Sequence, residues 1–151
     1  MAFPPDYRIG VIADTHDRFH PGVAKLFADV DEIWHLGDVC RDPILDELRA
    51  INSKLTVVLG NNDFSLNSPL SLDLERDGEK FHLIHIMPRR LPPDSDWLLF
   101  GHTHRPEDEM HNGIHLFNPG SAGRANKGAP LSVGFLVRKG GKKFRAELAL
   151  L

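Results

Sequence analysis

The feature that most constrains the fold is the alternation of strand-like and helical segments in the first 60 residues. Apolar runs with strand character lie at 7–13, 32–37 and 54–60. The segments between them, 21–29 and 42–50, have the three- and four-residue spacing of amphipathic helices. A β-α-β-α-β order predicts a parallel sheet, because such connections carry the chain back to the starting edge.

From residue 70 onward the pattern changes to β-hairpins with glycine-containing turns. The predicted hairpins span 70–86, 107–118 and 131–151, and a further strand spans 97–100. The segments 87–96 and 118–130 are predicted loops, because they are rich in proline, glycine and polar residues. Neither half has enough strands to cover its own sheet. We therefore expect one α/β domain over residues 1–151, a two-sheet β-sandwich flanked by helices.

Composition narrows the class of protein. The chain is 41% hydrophobic and 26% charged, with a net charge of −3, so no basic field attracts long nucleic acids or a membrane surface. The single cysteine, Cys40, cannot form an internal disulfide, which suits a reducing compartment. No basic and apolar leader stands at the start, and no apolar run reaches the roughly 20 residues of a membrane helix. These features predict a cytoplasmic protein.

Side chains able to bind a metal ion follow each of the three N-terminal strands. They are Asp14 and His16, then Asp38, then Asn61, Asn62 and Asp63. His85 lies on the 70–86 hairpin, and His102 and His104 follow the 97–100 strand. Because ligands bind at the carboxyl ends of strands in open α/β sheets, these residues are expected to converge.

The chemistry of this set indicates transition metals. Without Asn62 and Asp63, it offers seven candidate ligands: two carboxylates, one amide oxygen and four imidazoles, without a thiolate. Mixed nitrogen and oxygen ligands suit Mn²⁺, Fe, Zn²⁺ or Co²⁺ better than Ca²⁺. Seven side chains are too many for one catalytic ion with an open position. They suit two ions that share a bridging carboxylate, about 3.5–4 Å apart.

The order Asp-x-His, Gly-Asp, Gly-Asn-x-Asp, His, Gly-His-Thr-His resembles the calcineurin-like metallophosphoesterases, especially their small bacterial and archaeal branch. The resemblance runs from Asp14 to about Ser121. It implies a four-layer αββα fold and a phosphoesterase, with a phosphodiesterase favoured, in which a hydroxide bridging two metal ions attacks phosphorus. It also implies a small phosphoester substrate. Manganese is the favoured metal, and Fe, Zn, Co and Ni remain alternatives.

Roles follow from the resemblance motif by motif. Asp14, His16 and His104 would hold one metal, Asn61, His85 and His102 would hold the other, and Asp38 would bridge both. Asn62 and His102 would contact the phosphate as catalytic residues, and Asp63 would orient its loop. The Asn-Pro-Gly-Ser segment at 118–121 would support the site from behind.

The chain departs from the family pattern at two places. Asn62 stands where many members have histidine, and an amide cannot act as a general acid at neutral pH. Activated aryl phosphodiesters should therefore react readily and alkyl phosphates weakly. The family commonly has Thr-His-Gly-His where this chain has Ile84-His85-Ile86-Met87. Arg89 and Arg90 lie just beyond and are candidates to contact the phosphate instead.

Plainer interpretations stand beside these. His85 also suits a core position. Turns also suit Asp14, Asn61, His102 and His104, and a solvated surface also suits Arg89, Arg90 and Arg124, a third candidate phosphate contact. A eukaryotic trafficking subunit with this fold acts as a protein-binding scaffold, and Asn62 keeps that alternative open. Nucleic acid partners are limited to nucleotides or short oligonucleotides. Edge strands leave a homo-oligomer open.

Overall fold

The computed structural model describes residues 2–125 and 128–151. The N-terminal elements are β1 (Tyr7–Ile12), α1 (Pro21–Leu26), β2 (Glu32–His35), α2 (Asp42–Ile51) and β3 (Leu55–Val57). They are followed by β4 (Ser71–Arg76), β5 (Glu79–Ile84), β6 (Trp97–Leu99), β7 (Pro106–His111), β8 (Ile114–Pro119), β9 (Ser132–Arg138) and β10 (Arg145–Leu150). The described strands form two five-stranded sheets, in the orders β10-β9-β1-β2-β3 and β4-β5-β6-β8-β7.

The first sheet contains the predicted parallel unit. Strands β1, β2 and β3 pair in parallel, while β9 and β10 extend the sheet in antiparallel pairing on the other side of β1. The carboxyl ends of β1, β2 and β3 therefore lie at one edge. The second sheet is also mixed, with parallel pairs on both sides of β6.

The hydrophobic core lies between the two sheets. Trp34 and Leu136 from the first sheet pack with Phe81 and Phe117 from the second. The rings of Trp34 and Phe81 meet edge to face, with centroids 5.2 Å apart, a favourable arrangement for aromatic pairs. Burial of these apolar faces holds the sandwich together.

Both described helices cover the outer face of the first sheet. Val23 and Leu48 from the helices pack there against Ile33 and Phe135. On the outer face of the second sheet, Leu91 from the 87–96 segment lies against the apolar residues of the strands. Prolines at positions 88, 92 and 93 explain why that segment forms no helix. The predicted α/β sandwich is confirmed. The outer face of the second sheet, where a layer of helices was expected, is contacted by the loop at 87–96 instead.

The predicted hairpin turns are confirmed. Asp77 and Gly78 both have positive φ, and so do Asn112 and Gly113. This pair of left-handed residues is the signature of a type I′ turn, whose twist matches that of the flanking strands. The turns therefore set the register of β4 against β5 and of β7 against β8.

Some element boundaries differ from the predicted ones. Helix α1 ends at Leu26 rather than at residue 29, and β3 ends at Val57 rather than at Gly60. Beyond β3 the chain leaves the sheet, since the Leu59 N–H donates to the Pro69 carbonyl at 2.8 Å. Arg41, which makes no side-chain cap, precedes α2, so that Asp42 is the first helical residue.

The predicted loop at 118–130 includes residues 126 and 127, which lie outside the described residues. Among the residues that are described, no helix combines the length and the apolar character needed to cross a membrane.

Candidate metal centre

The carboxyl ends of β1 and β2 bring the first two motifs together. The Asp14 N–H donates to the Gly37 carbonyl at 2.9 Å, and the His16 N–H donates to the Asp38 carbonyl at 3.0 Å. The loop after β6 joins them, because the His102 N–H donates to Oδ2 of Asp14 at 3.0 Å. Residues 88 positions apart in sequence thus meet at one edge of the first sheet.

Five of the predicted metal ligands have left-handed backbone conformations. Asp14, His16, Asp38, His102 and His104 have φ between 48° and 72°. They make up five of the nine non-glycine residues with positive φ in the described part of the chain. Such conformations are uncommon for non-glycine residues and cluster at functional sites.

The Gly-His-Thr-His segment is therefore a tight loop rather than an extended segment. Left-handed backbone at both His102 and His104 turns their rings to different parts of the site. The predicted division of the two histidines between two groups of ligands is compatible with this conformation.

One group contains Asp14, His16 and His104. The Nε2 atoms of the two histidines lie 3.1 Å apart. Oδ1 of Asp14 lies 3.4 Å from Nε2 of His104 and 3.7 Å from Nε2 of His16. These three side chains can offer one ligand atom each to a single ion.

A second group contains Asp14, Asp38 and His85. Nε2 of His85 lies 3.4 Å from Oδ2 of Asp38 and 3.6 Å from Oδ1 of Asp14. The same Oδ2 of Asp38 lies 3.5 Å from Nε2 of His16. Asp38 therefore faces both groups, as the sequence predicts, and Asp14 is common to both groups, which the sequence did not predict.

Asn61 and His102 complete the side of the site occupied by His85. Nδ1 of His102 lies 3.2 Å from Oδ1 of Asn61. The rings of His102 and His85 meet edge to face, with centroids 5.3 Å apart. All seven predicted ligands are thus brought together by the fold.

His85 is held in the orientation of a metal ligand. Its Nδ1 lies 2.8 Å from the Leu36 carbonyl oxygen. Because a carbonyl only accepts, this nitrogen carries the proton, and the lone pair of Nε2 points towards the carboxylates. Histidines that bind metals commonly donate their other ring N–H to a carbonyl in this way.

Two buried polar atoms at the cluster have no hydrogen-bond partner. They are Oδ1 of Asp14 and Nε2 of His85, which are half of the unpartnered buried side-chain atoms in the described residues. An unpaired buried polar atom is costly, and both of these atoms can donate an electron pair when His85 is neutral. Burial acts to lower the pKa of His85, but the neighbouring Asp38 and Asp14 carboxylates outweigh burial and raise it, so a metal ion would have to displace this proton. A cation that accepts their lone pairs satisfies both, so the residues present fit a metal ion.

The two central carboxylates differ in their pKa values. Burial raises the pKa of Asp14 to about 7, although the nearby His85 and the His102 N–H oppose this rise. For Asp38, burial acts in the same direction, but contacts from His85 and Asn62 outweigh it and hold the pKa well below its usual range. A bound cation would favour the charged form of both carboxylates.

The histidines also have shifted pKa values. Burial lowers the pKa of His16, and burial together with the adjacent His16 lowers the pKa of His104. Both rings are therefore biased towards the neutral form, which is the form that binds metals.

Asp63 fastens two of the ligand loops to each other. Its Oδ2 accepts from the N–H groups of Asp38 and Gly60, each at 2.8 Å. Its Oδ1 accepts from the Cys40 N–H at 2.7 Å. The carboxylate thus orients the loop after β2 against the loop after β3, which is the supporting position that the sequence predicts.

The segment at 118–121 supports the site from the second sheet. Nδ2 of Asn118 donates to the Gly101 carbonyl at 3.2 Å and to Oγ1 of Thr103 at 3.1 Å. The Ser121 hydroxyl donates to the Asp14 carbonyl at 2.9 Å. Gly120 has φ +80°, and a Cβ there would stand 2.1 Å from Oγ of Ser132.

Asn62 contacts Asp38. Its Nδ2 donates to Oδ2 of Asp38 and its backbone N–H donates to Oδ1, both at 2.9 Å. Asn62 therefore lies at the mouth of the site, beside the carboxylate that faces both ligand groups. Its predicted contact with phosphate stays a prediction.

The arginines considered as phosphate contacts lie in different surroundings. Arg89 lines a separate cavity with Leu91 and Phe100, which contains none of the predicted metal ligands, and Arg90 is exposed. Arg124, which follows the 118–121 segment, lies close enough for its charge to lower the pKa values of His16 and His104. From the sequence alone, Arg124 is a candidate no stronger than Arg89 and Arg90, because its position depends on how that loop folds back over Asp14.

An α/β sandwich with carboxylates and imidazoles gathered at the carboxyl ends of its strands defines a class of metal-binding proteins. The chain belongs to the calcineurin-like phosphoesterase superfamily, whose domain model matches residues 7–140.

Curated relatives agree with this assignment. A probable metallophosphoesterase of Methanocaldococcus jannaschii is 40% identical over 130 residues, covering 75% of this chain and 67% of that protein. Phosphodiesterase YfcE of Escherichia coli K12 is 30% identical over 142 residues, covering 76% of this chain and 77% of that protein.

Solved structures also share the fold. One is Vps29 of Entamoeba histolytica in complex with zinc, which matches with a TM-score of 0.74. It is 20% identical, and the match covers 95% of this chain and 98% of that one. At this identity the likeness concerns the fold alone.

Proposed function

We propose that the protein is a metal-dependent phosphodiesterase that binds two divalent transition-metal ions. The observation that carries the proposal is the pair of ligand groups joined at Asp14, with two buried lone-pair donors, Oδ1 of Asp14 and Nε2 of His85, left without partners. The names of the M. jannaschii and E. coli relatives support a phosphoesterase, and the second supports a phosphodiesterase.

The proposed ligands follow the two groups. Asp14, His16 and His104 hold one ion, Asn61, His85 and His102 hold the other, and Asp38 lies between them. When bound, two such ions activate a water for attack on phosphorus and neutralise the charge of the phosphate. The ligand set favours Mn²⁺ and also fits Fe, Zn²⁺, Co²⁺ and Ni²⁺.

The protein's own side chains orient the substrate. Asn62 holds both oxygens of Asp38 and can donate a hydrogen bond to a phosphoryl oxygen once its amide is released. Among the arginines considered, Arg124 is the best candidate for a contact to the phosphate, because its charge acts on His16 and His104. Arg89 and Arg90 are no longer favoured for that contact.

The absence of a general acid at position 62 sets the expected substrate preference. Activated aryl phosphodiesters carry good leaving groups and should react readily, whereas alkyl esters need protonation of the leaving oxygen. Asn62→His should raise the rate on alkyl esters by up to about 100-fold and change aryl ester rates little. Equal rates for alkyl monoesters and aryl diesters in the wild-type protein would contradict this role.

A protein-binding scaffold is the alternative, because the fold neighbour Vps29 shares its name with a Cryptosporidium parvum structure described as vacuolar protein sorting 29. That neighbour was solved with zinc, so bound metal by itself does not separate the two functions. Catalysis separates the two functions, provided that it depends on the proposed ligands.

The test is hydrolysis of bis(4-nitrophenyl) phosphate by metal-free protein reloaded with each candidate metal. Asp38→Asn should lower the rate at least about 100-fold, since loss of groups that merely support metal ligands already costs about 10–100-fold. The matched control is Asp73→Asn, an aspartate that contacts His82 on the second sheet. The proposal fails if the metal-loaded wild-type protein leaves all mono- and diesters intact, or if both variants lose activity equally.

A further inference from the structure

An apolar groove opens directly beside the proposed metal centre. It has a volume of about 260 Å³ and is lined by Leu59, Gly60, Asn61, Leu70, Ile84, His85 and Ile86. Asn61 and His85 are also proposed metal ligands, so the groove and the centre share a wall. We infer that this groove binds the ester group that stays on phosphorus during hydrolysis, and that it selects an aryl group there. The inference rests on the function proposed above.

Two exposed apolar side chains line this groove, and two more lie in the same chain segments. The described residues include seven large hydrophobic side chains that are exposed. Four of them lie in the two segments that form the groove or adjoin it: Phe64, Leu70, Ile86 and Met87. Leu70 and Ile86, which are 70% and 47% exposed, line the groove itself. Clustered exposed apolar surface commonly marks a binding site.

The lining offers little to a charged or sugar-like group. His85 is buried, and its Nδ1 is occupied by the Leu36 carbonyl. Oδ1 of Asn61 is within hydrogen-bond distance of His102. The remaining side chains are the aliphatic groups of Leu59, Leu70 and Ile84, together with Ile86. Such a surface favours a flat apolar ring, because polar groups placed there would lose their hydrogen bonds to water.

The size of the groove limits the group that it holds. Pockets for whole drug-sized ligands measure about 300–1,000 Å³. At about 260 Å³, the groove accommodates one ring-sized substituent and not an oligonucleotide. The substrate class is therefore a phosphodiester with a small aryl group on one side.

The position of the groove identifies which ester group it meets. In phosphoryl transfer the attacking and leaving oxygens lie in line, so a water activated beside Asp14 and Asp38 would expel a leaving group that points away from these carboxylates. The groove is lined by Asn61 and His85 but by neither carboxylate, so it lies to one side of them. The groove therefore meets a substituent that lies to the side of the line through the attacking and leaving oxygens. That substituent is the ester group retained on phosphorus.

Ile86 distinguishes this groove from the one that the family pattern would form. The family resemblance would place glycine at position 86, next to the ligand His85. The exposed isoleucine supplies one wall of the groove. Met87, its neighbour, is 37% exposed but lines the separate cavity that contains Arg89. These adjacent residues form a matched pair for a test.

The test compares bis(4-nitrophenyl) phosphate with methyl 4-nitrophenyl phosphate, which release the same leaving group. Since their intrinsic reactivities differ, the informative quantity is the change in the ratio of their kcat/KM values on mutation. Ile86→Ala should lower this ratio by about tenfold, the lower range for discrimination by an apolar pocket. Ile86→Leu should preserve the ratio, and Met87→Ala should leave it unchanged. An unchanged ratio in Ile86→Ala, or an equal change in Met87→Ala, overturns the inference.

A binding measurement separates this inference from the proposed function. Methyl groups of isoleucine and leucine are followed by NMR in metal-free and Zn²⁺-loaded protein during titration with methyl phenyl phosphate or dimethyl phosphate. Only the phenyl ester should shift the methyls of Leu70, Ile84 and Ile86, while those of Leu148 stay in place. Shifts without hydrolysis support the groove and reject the enzyme, whereas hydrolysis without these shifts rejects the groove and leaves the enzyme standing.

Discussion

Two fully buried carboxylates, Glu32 and Asp14, lie at opposite ends of the first sheet. Glu32 opens β2, and Asp14 follows β1. Neither side chain is exposed to solvent. Their surroundings nevertheless differ, and this difference separates a carboxylate that stabilises the fold from one that is available for chemistry.

Both carboxylate oxygens of Glu32 accept hydrogen bonds. It accepts from the Tyr7 hydroxyl and from Nε1 of Trp34, each at 2.8 Å. Arg76 donates to both carboxylate oxygens, at 2.9 and 2.8 Å. Burial acts to raise the pKa of Glu32, but these donors outweigh burial and lower it. The charged form is therefore stable in the folded protein.

Asp14 has the opposite balance. Its Oδ1 has no hydrogen-bond partner, and burial raises its pKa to about 7. Three histidine Nε2 atoms lie between 3.4 and 3.7 Å from this oxygen. Burial alone thus does not identify a functional carboxylate. The useful signal is a buried carboxylate whose local partners are incomplete and are themselves potential ligands.

The largest effect on stability is expected at Glu32. Glu32→Gln should lower the free energy of unfolding by about 3–5 kcal/mol, because it leaves Arg76 without its counter-charge. Chemical denaturation at pH 7 measures the change, with the exposed Glu47→Gln on α2 as the control. A loss no greater than that of the control would show that the network contributes nothing.

The same acid-to-amide change at Asp14 should have the opposite sign in metal-free protein. Asp14→Asn should raise the free energy of unfolding at pH 8 by about 2–4 kcal/mol, because it removes a carboxylate that is costly to ionise. Since the folded pKa lies above the unfolded pKa of 3.8, the gain should disappear below pH 4. A stability loss at pH 8 would contradict the comparison.

The pH dependence of the Glu32 network provides a finer test. A lowered folded pKa means that its contribution is complete above the ordinary value of 4.5 and is lost as pH falls through the folded pKa. The stability difference between wild-type protein and Glu32→Gln should therefore shrink below about pH 4.5. Denaturation curves from pH 3 to 7 measure it, and a constant difference would argue against charge as the cause.

The smallest effect is expected at Arg124. Arg124→Gln should lower kcat/KM for bis(4-nitrophenyl) phosphate by at most about fivefold, the range for one exposed charge contact. Metal content should stay unchanged, because Arg124 is not a proposed ligand. Arg90→Gln is the control and should retain full activity. Equal losses of kcat/KM in the two variants would show that Arg124 is a solvated surface residue and not a phosphate contact.

The sequence predicted the convergence of the candidate ligands better than it predicted the Glu32 network. Asp14 and Asp38 each follow an apolar strand, so the parallel topology by itself brings them together. Glu32 has no such signal. Its partners Tyr7 and Arg76 lie 25 and 44 residues away. Tyr7 reaches Glu32 from the neighbouring strand β1, and Arg76 reaches it only when the two sheets pack.

Local turn chemistry was also predictable, whereas packing between remote loops was not. The Asp77-Gly78 and Asn112-Gly113 pairs determine their turns without help from the rest of the fold. The groove depends on the approach of Leu70 to Ile86 from different segments. The placement of Arg89 away from the site depends on how the 87–96 segment lies against the second sheet.

The most direct test of the account is a crystal structure of the metal-loaded protein, with diffraction data collected at the absorption edge of the metal. Two anomalous peaks should appear about 3.5–4 Å apart. One should lie by His16 and His104 and the other by His85 and His102, with no peak near Glu32. An empty cluster at saturating Mn²⁺ or Zn²⁺, or metal bound only elsewhere, would contradict the central claim.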